Sequence, residues 1–185
     1  MKQIYILVLL FVFLLELKVN AKEYESPVYT QCVAEVTSTF LKEVYKEYGF
    51  ECGASGGEMP YDVEEISVKI VAYQNATIEE ARELEVILTE KFTQIINSHE
   101  KIRPFLREFP FPSSRARVSI SFRSPKKKFS LSSKNDVKYV LQVKGIIYYQ
   151  ADNPDNPYVY RDIKDEPYEE ALKIVRNNAS KNDSM

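Results

Sequence analysis

The sequence is poor in the residues that build metal centres and reactive sites. Its 185 residues include two cysteines, one histidine and no tryptophan, too few to complete a four-ligand Cys/His zinc site without carboxylates. The chain also has almost no excess of charge of either sign, because 25 basic and 27 acidic side chains leave a net charge of −2. A general nucleic-acid binder usually carries a basic excess. The sequence therefore predicts no metal, no cofactor and no nucleic-acid partner.

Only one long apolar run is present, and it lies at the amino terminus. Residues 4–15 are apolar, Lys2 precedes them, and Val19 and Ala21 occupy the −3 and −1 positions of a signal-peptidase site. The run is too short for a membrane span, which needs about 20 residues. We expect residues 1–21 to be a cleaved signal peptide, with an uncleaved anchor as the alternative. The mature chain is then a soluble periplasmic or secreted protein, with one domain at residues 22–177 and a polar tail at 178–185.

Export makes a disulfide between Cys32 and Cys52 chemically permissible, but the predicted first helix argues against it. Apolar residues at four-residue spacing predict a helix over residues 27–48, ended by Gly49. From Cys32 to the end of that helix is roughly 24 Å of axis. The four residues that follow return at most about 14 Å, whereas a disulfide needs Cα atoms within about 7 Å. We expect Cys32 to be a core thiol and Cys52 to be free or to link two chains.

The rest of the chain alternates between predicted strands and helices. Thr77 and Glu80 form a capping box that begins the second helix, and Gly145 interrupts an alternating pattern as a bulge does. The expected elements are strands at residues 66–73, 117–123, 137–150 and 158–163, and helices at 77–97 and from 167 onward. This α-β-α-β-β-β-α order predicts an α+β fold, in which an antiparallel sheet of about four strands packs helices on one face.

A glycine-rich segment follows the first helix. Four of the five glycines fall within residues 49–60, and we expect a loop there. Gly53, Ser55, Gly56 and Gly57 are candidate binding residues within it. The loop is either a plain connector or a surface that binds a partner.

The same segment matches the pattern G-x-S-x-G, in which a strand, a strained turn and a helix present a nucleophilic serine. Here a helix precedes the motif and a strand follows it, so the required context is missing. A hydrolase that uses Ser55, Cys32 or Cys52 with His99 as its base is kept as an alternative function. The simpler interpretation of His99 is a solvated side chain near a helix carboxyl terminus.

Charge is distributed unevenly along the chain. Residues 22–100 hold six basic and 16 acidic side chains, residues 115–144 hold nine basic and one acidic, and residues 151–170 hold two basic and seven acidic. The basic block is a predicted hairpin that includes Arg123, Lys126, Lys127 and Lys128. We expect this hairpin to dock an anionic partner such as lipid headgroups, an acidic protein or a polyanionic glycan. The alternative is that its lysines protect an exposed hairpin from edge pairing.

Tyrosines cluster in the carboxyl-terminal half of the chain. With period-two spacing, some face the core, while others are candidates for an aromatic patch that binds a protein or a sugar. The cluster consists of Tyr139, Tyr148, Tyr149, Tyr158, Tyr160 and Tyr168.

Five short motifs follow one another along the chain, at residues 56–59, 78–84, 96–106, 148–149 and 166–171. Their order resembles that of an uncharacterised family of small exported proteins in intracellular bacteria of the chlamydia and legionella type, and the resemblance covers about residues 30–177. It implies a bacterial envelope or secreted location and assigns no activity and no catalytic residue.

Together these features predict a non-enzymatic exported protein that binds or interacts with an unidentified partner. Two alternatives remain: the periplasmic or secreted hydrolase, and a structural component of the envelope. Oligomeric state is left open by the sequence.

Overall fold

The fold is described from a computed structural model that covers residues 27–124 and 136–182. Its helices are α1 (Val28–Tyr48), α2 (Ile78–Ser98) and α3 (Tyr168–Asn182), with a short 3₁₀ helix at Glu100–Phe105. Its strands are β1 (Glu51–Glu58), β2 (Glu65–Ala72), β3 (Ala116–Phe122), β4 (Tyr139–Val143), β5 (Ile146–Asp152) and β6 (Tyr160–Pro167).

The six strands form one sheet in the order β1-β2-β3-β4-β5-β6. Every neighbouring pair is antiparallel except β2 and β3, which are parallel and are joined through α2. A parallel pair needs such a crossover, because a tight turn reverses chain direction. The predicted α+β class is confirmed, with six strands rather than about four.

The helices begin and end where local chemistry favours it. The α1 helix stops at Gly49, whose φ of 70° is the left-handed conformation that glycine adopts without a Cβ penalty. At the start of α2, the Thr77 side chain accepts a hydrogen bond from the Glu80 backbone N–H, and the Glu80 carboxylate accepts from the Thr77 N–H. The predicted capping box is therefore confirmed.

The core lies between one face of the sheet and the helices. Alternate residues of β2 and β3 are buried in register, as in the pairs Val68 with Val118 and Ile70 with Ile120. The α1 and α2 helices contact each other through Phe40 and Phe92, whose ring centroids are 4.6 Å apart. Cys32 is buried in the same core and Cys52 is exposed, and both are free thiols, as the helix argument predicted.

Two sequence predictions about strands are wrong in detail. The stretch expected to be one bent strand is a hairpin of β4 and β5, joined by Lys144 and Gly145 with φ values of 49° and 79°. Two successive residues with positive φ make the tight turn whose twist matches that of paired strands. Gly145 is therefore a turn residue, whereas the register shifts lie at Cys52/Ala54 and Tyr149/Gln150.

The structure describes part of the predicted polar tail but none of the predicted signal peptide. The last helix continues through Asn182, so most of the predicted polar tail is helical. Residues 1–26, which include the predicted signal peptide, lie outside the described residues. Across residues 27–124 and 136–182, no helix is both long enough and apolar enough to cross a membrane.

Candidate functional site

The glycine-rich segment is an edge strand, not the loop that the sequence predicts. All eight residues of β1 are exposed. Within residues 27–124 and 136–182, β1 pairs only with β2, in a register that sets Ser55 opposite Val68 and Gly57 opposite Ile66. Glycine is usually depleted in strands, but here it permits close backbone approach. A Cβ on Gly57 would collide with the Glu65 carbonyl oxygen. The candidate residues Gly53, Ser55, Gly56 and Gly57 thus belong to one strand, and no described strand pairs with its outer side.

The two edges of the sheet are protected to different degrees. Five of the eight residues of β6 are charged, and the strand ends at Pro167. In β1 the only charged residues are Glu51 and Glu58, at its two ends, and six uncharged residues lie between them. Charged side chains and proline are the usual means of preventing a further strand from pairing with an edge. The β1 edge lacks them over its centre and is open to strand pairing.

An apolar groove runs between β1 and α1. Its volume is about 680 Å³, which falls within the usual range for ligand sites. The α1 side contributes small exposed residues, Ala34 and Ser38, which leave room above the buried Val33. Cys52 and Ser55 lie on the β1 side. The groove is lined by Thr30, Val33, Ala34, Thr37, Ser38, Leu41, Lys42, Tyr45, Phe50, Cys52, Ser55, Gly56 and Met59.

A second cavity lies on the opposite face of the sheet, and we call it the polar cavity because cationic and serine side chains are part of its mixed lining. Its volume is about 260 Å³, and it extends from β1 to β4. Lys69 and Arg117 are its two cations. The Arg117 Nη2 atom lies 2.7 Å from the Glu65 carboxylate, whereas the Lys69 Nζ atom lies 4.9 Å from the centroid of the Tyr139 ring. Because Ser55 and Gly56 line both cavities, β1 forms a thin wall between them.

The predicted tyrosine cluster divides between the two faces of the sheet. Tyr149 and Tyr168 are buried in the core. Tyr139 and Tyr160 stack on the other face, with ring centroids 6.0 Å apart and an interplanar angle of 15°. Tyr158 is 93% exposed in the turn before β6.

The residues of the alternative hydrolase are not brought together around one cavity. His99 caps the carboxyl end of α2, and its Nε2 atom lies 3.0 Å from the Glu35 carboxylate. The cavity that His99 lines, of about 380 Å³, contains neither Ser55 nor a cysteine. The Cys32 thiol is buried and lies 3.7 Å from the carbonyl oxygen of Lys101. No cluster of three or more potential metal ligands occurs in the parts of the chain that the structure describes.

A group of titratable side chains is buried under α2 and was not anticipated from the sequence. Arg82 donates to both oxygens of Glu166 at 2.6 and 3.1 Å, and the Tyr149 hydroxyl donates at 2.5 Å. Burial would raise the pKa of Glu166, but hydrogen bonds from Arg82, Lys164 and Tyr149 lower it to about 2. This network joins α2 to β5 and β6.

Glu85 lies in the same buried region and has the opposite environment. It is fully buried, and neither of its carboxylate oxygens has a hydrogen-bond partner among the described residues. Burial therefore raises the pKa of Glu85 well above its ordinary value. Glu85 does not line the groove or the polar cavity.

The basic hairpin is only partly described. Lys126, Lys127 and Lys128 lie outside the described residues. Arg123 is exposed just after β3, where its backbone N–H donates to the carbonyl oxygen of Ala72.

No family model, curated protein or solved structure matches this chain. Function is therefore inferred from the surfaces around β1.

Proposed function

We propose that this chain is an exported binding protein that captures an extended segment of a partner protein by strand addition to β1. One observation carries the proposal: the uncharged centre of an edge strand lies directly beside an apolar groove. In strand addition, main-chain hydrogen bonds supply affinity, and pockets for alternate side chains supply specificity. The β1 edge offers main-chain hydrogen-bonding groups, and the groove beside it offers a pocket for side chains.

The geometry of β1 favours an extended segment over a compact ligand. Side chains of a paired strand alternate between the two faces of the sheet. Every second side chain of the added segment therefore points toward the α1 side, where Ala34, Ser38 and Leu41 line the groove. The recognised segment is expected to carry apolar residues at these alternate positions.

Charge narrows the chemistry of the segment further. Glu51 and Glu58 stand at the two ends of β1, and residues 22–100 carry 16 acidic against six basic side chains. Opposite charges on neighbouring strands stabilise pairing, and like charges oppose it. The segment is therefore expected to have a basic residue near each of its ends.

A fluorescent probe peptide tests the proposal directly. The probe has nine residues, with lysine at each end and valine alternating with serine between them. The backbone amides along one edge of the extended peptide are N-methylated, which prevents two probe molecules from pairing through that edge. Fluorescence anisotropy is expected to show saturable binding to the wild-type chain. Ala34→Arg blocks the groove and Ser55→Lys places a charge on the strand, so each should weaken binding at least tenfold.

A matched control separates a blocked groove from a general effect of added charge. Ala179 is also an exposed helical alanine, but it lies in α3. Ala179→Arg is expected to bind the probe as the wild type does. Equal binding by Ala34→Arg and Ala179→Arg would contradict the proposal.

Export rests on the predicted signal peptide at residues 1–21 and stays a prediction, as does docking of an anionic surface by Arg123 and Lys126–Lys128. The hydrolase is not favoured, because His99 and Ser55 line different cavities. A role as a structural envelope component has no feature of the described residues in its favour.

A further inference from the structure

We infer that the segment bound at β1 carries a glutamate at its centre, on the side opposite its apolar residues, and that Lys69 binds this carboxylate. This inference rests on the proposed strand addition and specifies the chemistry of the partner. It follows from the polar cavity on the face of the sheet away from the helices.

Lys69 is the cation available in that cavity. Arg117 already pairs with Glu65, whereas the contact that the structure gives the Lys69 ammonium is the Tyr139 ring. No carboxylate of the described residues lies within ion-pair distance of Lys69. A lysine on a flexible four-carbon stem can exchange such a ring contact for an anion. The Ser67 hydroxyl lines the same cavity and can donate a hydrogen bond to a carboxylate, whereas the Ser119 hydroxyl already donates to the Val68 carbonyl oxygen.

The strand between the cavity and the open edge carries almost no side-chain atoms on this face. Ala54 is paired with Lys69, and Gly56 is paired with Ser67. A Cβ on Gly56 would meet only the Ser67 Oγ atom, at 3.7 Å, so the space above Gly56 is open. A segment added at the edge therefore faces the cavity across a strand whose only side-chain atom at these two positions is the Ala54 methyl group.

The distance from the added segment to Lys69 selects a long acidic side chain. Neighbouring strands are about 4.8 Å apart, so a strand added to β1 would lie about 9.6 Å from β2. A glutamate and a lysine that lean toward each other cover this distance together, and glutamate is one methylene longer than aspartate. The position is central in the segment because Lys69 and Ser67 pair with the middle of β1.

The overall charge of the chain opposes the expected preference for a segment that contains glutamate. With a net charge of −2 and glutamates at both ends of β1, nonspecific attraction would favour a less acidic peptide. A preference for glutamate must therefore come from a local cation.

The test compares two versions of the nine-residue probe, with glutamate or glutamine replacing the central serine. An ion pair at a partly exposed site is worth up to about 1 kcal/mol, so the wild-type chain should bind the glutamate probe about two- to fivefold more tightly. The ratio should fall to one in Lys69→Gln and should be kept in Lys173→Gln, which removes an exposed lysine of α3. Gly56→Val, whose side chain closes the route above β1, should also abolish the ratio.

Each outcome decides the matter. Equal binding of both probes by the wild-type chain, or a preference that persists in Lys69→Gln, overturns this inference and leaves strand addition intact. Binding of neither probe overturns strand addition and this inference together.

Discussion

At the scale of single residues, the glycines of β1 have different physical roles. Gly57 packs so closely on the β2 backbone that a Cβ would collide with the Glu65 carbonyl oxygen. Gly53 is tight as well, since its Cβ would lie 3.2 Å from Val71 Cγ2. Gly56 has free space. Sequence composition alone counts these residues as equivalent loop formers, which is why it assigned them to a loop rather than to a strand.

The difference between Gly57 and Gly56 is measurable as stability. Gly57→Ala should lower the free energy of unfolding by about 1–3 kcal/mol, because the backbone must shift to admit the methyl group. Gly56→Ala should leave it unchanged or raise it by up to about 1 kcal/mol, since alanine restricts the unfolded chain. Urea unfolding of the two variants measures both values. Equal destabilisation by the two substitutions would show that the close approach to β2 does not exist.

Glu85 gives the fold a pH dependence of its own. Because the folded pKa lies above the ordinary value, the folded chain holds a proton that the unfolded chain releases above about pH 4.3. The contribution of Glu85 to the free energy of unfolding therefore falls as the pH rises above about 4.3, until the pH reaches the pKa of Glu85 in the folded chain. Arg82, Tyr149, Tyr168 and Glu166 are the titratable groups packed around this region.

Glu85→Gln removes that titration and keeps the side-chain shape. The stability gained over the wild type should increase with pH above about 4.3, by up to about 1.4 kcal/mol per pH unit. Urea unfolding between pH 4 and 8 measures the difference. A difference that stays constant over this range would mean that Glu85 titrates alike in the folded and unfolded chains.

At the scale of elements, the sequence predicted the helices better than the strands. Helix α2 has an apolar stripe and a capping box, both local signals, and it lies where expected. Strand β1 has neither an apolar alternation nor β-branched residues, so nothing local predicts it, and its conformation depends on pairing with β2. The groove was missed for a related reason, because its small residues Ala34 and Ser38 carry no signal until β1 stands opposite them.

Lys69 was also missed as a site residue, although a signal for it was present. The alternation in β2 that places Ile66, Val68 and Ile70 in the core places Ser67 and Lys69 together on the other face. A single lysine on a strand usually has no function beyond solvation. Only the cavity that continues to β1 distinguishes it.

The groove beside β1 can be probed through its thiol. Cys52 is exposed in the groove, and Cys32 is buried, so a maleimide should label one thiol per folded chain quickly and the other only on unfolding. Saturation with the nine-residue probe should slow the labelling of Cys52 in proportion to occupancy. Mass spectrometry of labelled peptides identifies the site. Equal labelling rates for both cysteines would contradict the arrangement of α1 and β1, in which Cys32 is buried and Cys52 is exposed.

At the scale of the whole molecule, the charge of the chain is divided rather than absent. Residues 22–100 are mainly acidic and include Glu51 and Glu58 at the two ends of β1, whereas residues 115–144 are mainly basic. A near-zero sum therefore conceals two segments of opposite charge, one that includes the β1 edge and one that includes the hairpin predicted to dock an anionic partner.

Export is the prediction that concerns the full chain. When the chain is expressed in bacteria with residues 1–21 intact, the mature protein recovered from the periplasm or medium should begin at Lys22. Intact-mass spectrometry distinguishes the two forms, and Ala21→Arg should prevent processing because the −1 position requires a small residue. If only the full-length chain is recovered, and only from the cytoplasm, the prediction that this protein is exported is wrong.

Hydrogen–deuterium exchange, measured with and without saturating nine-residue probe, tests strand addition most directly. The probe should slow amide exchange within residues 51–58, because an added strand accepts hydrogen bonds from β1 amides that otherwise face water. Exchange in residues 160–167, the charged edge at the opposite side of the sheet, should not change. Protection at the β6 edge, or none at β1, would contradict the account.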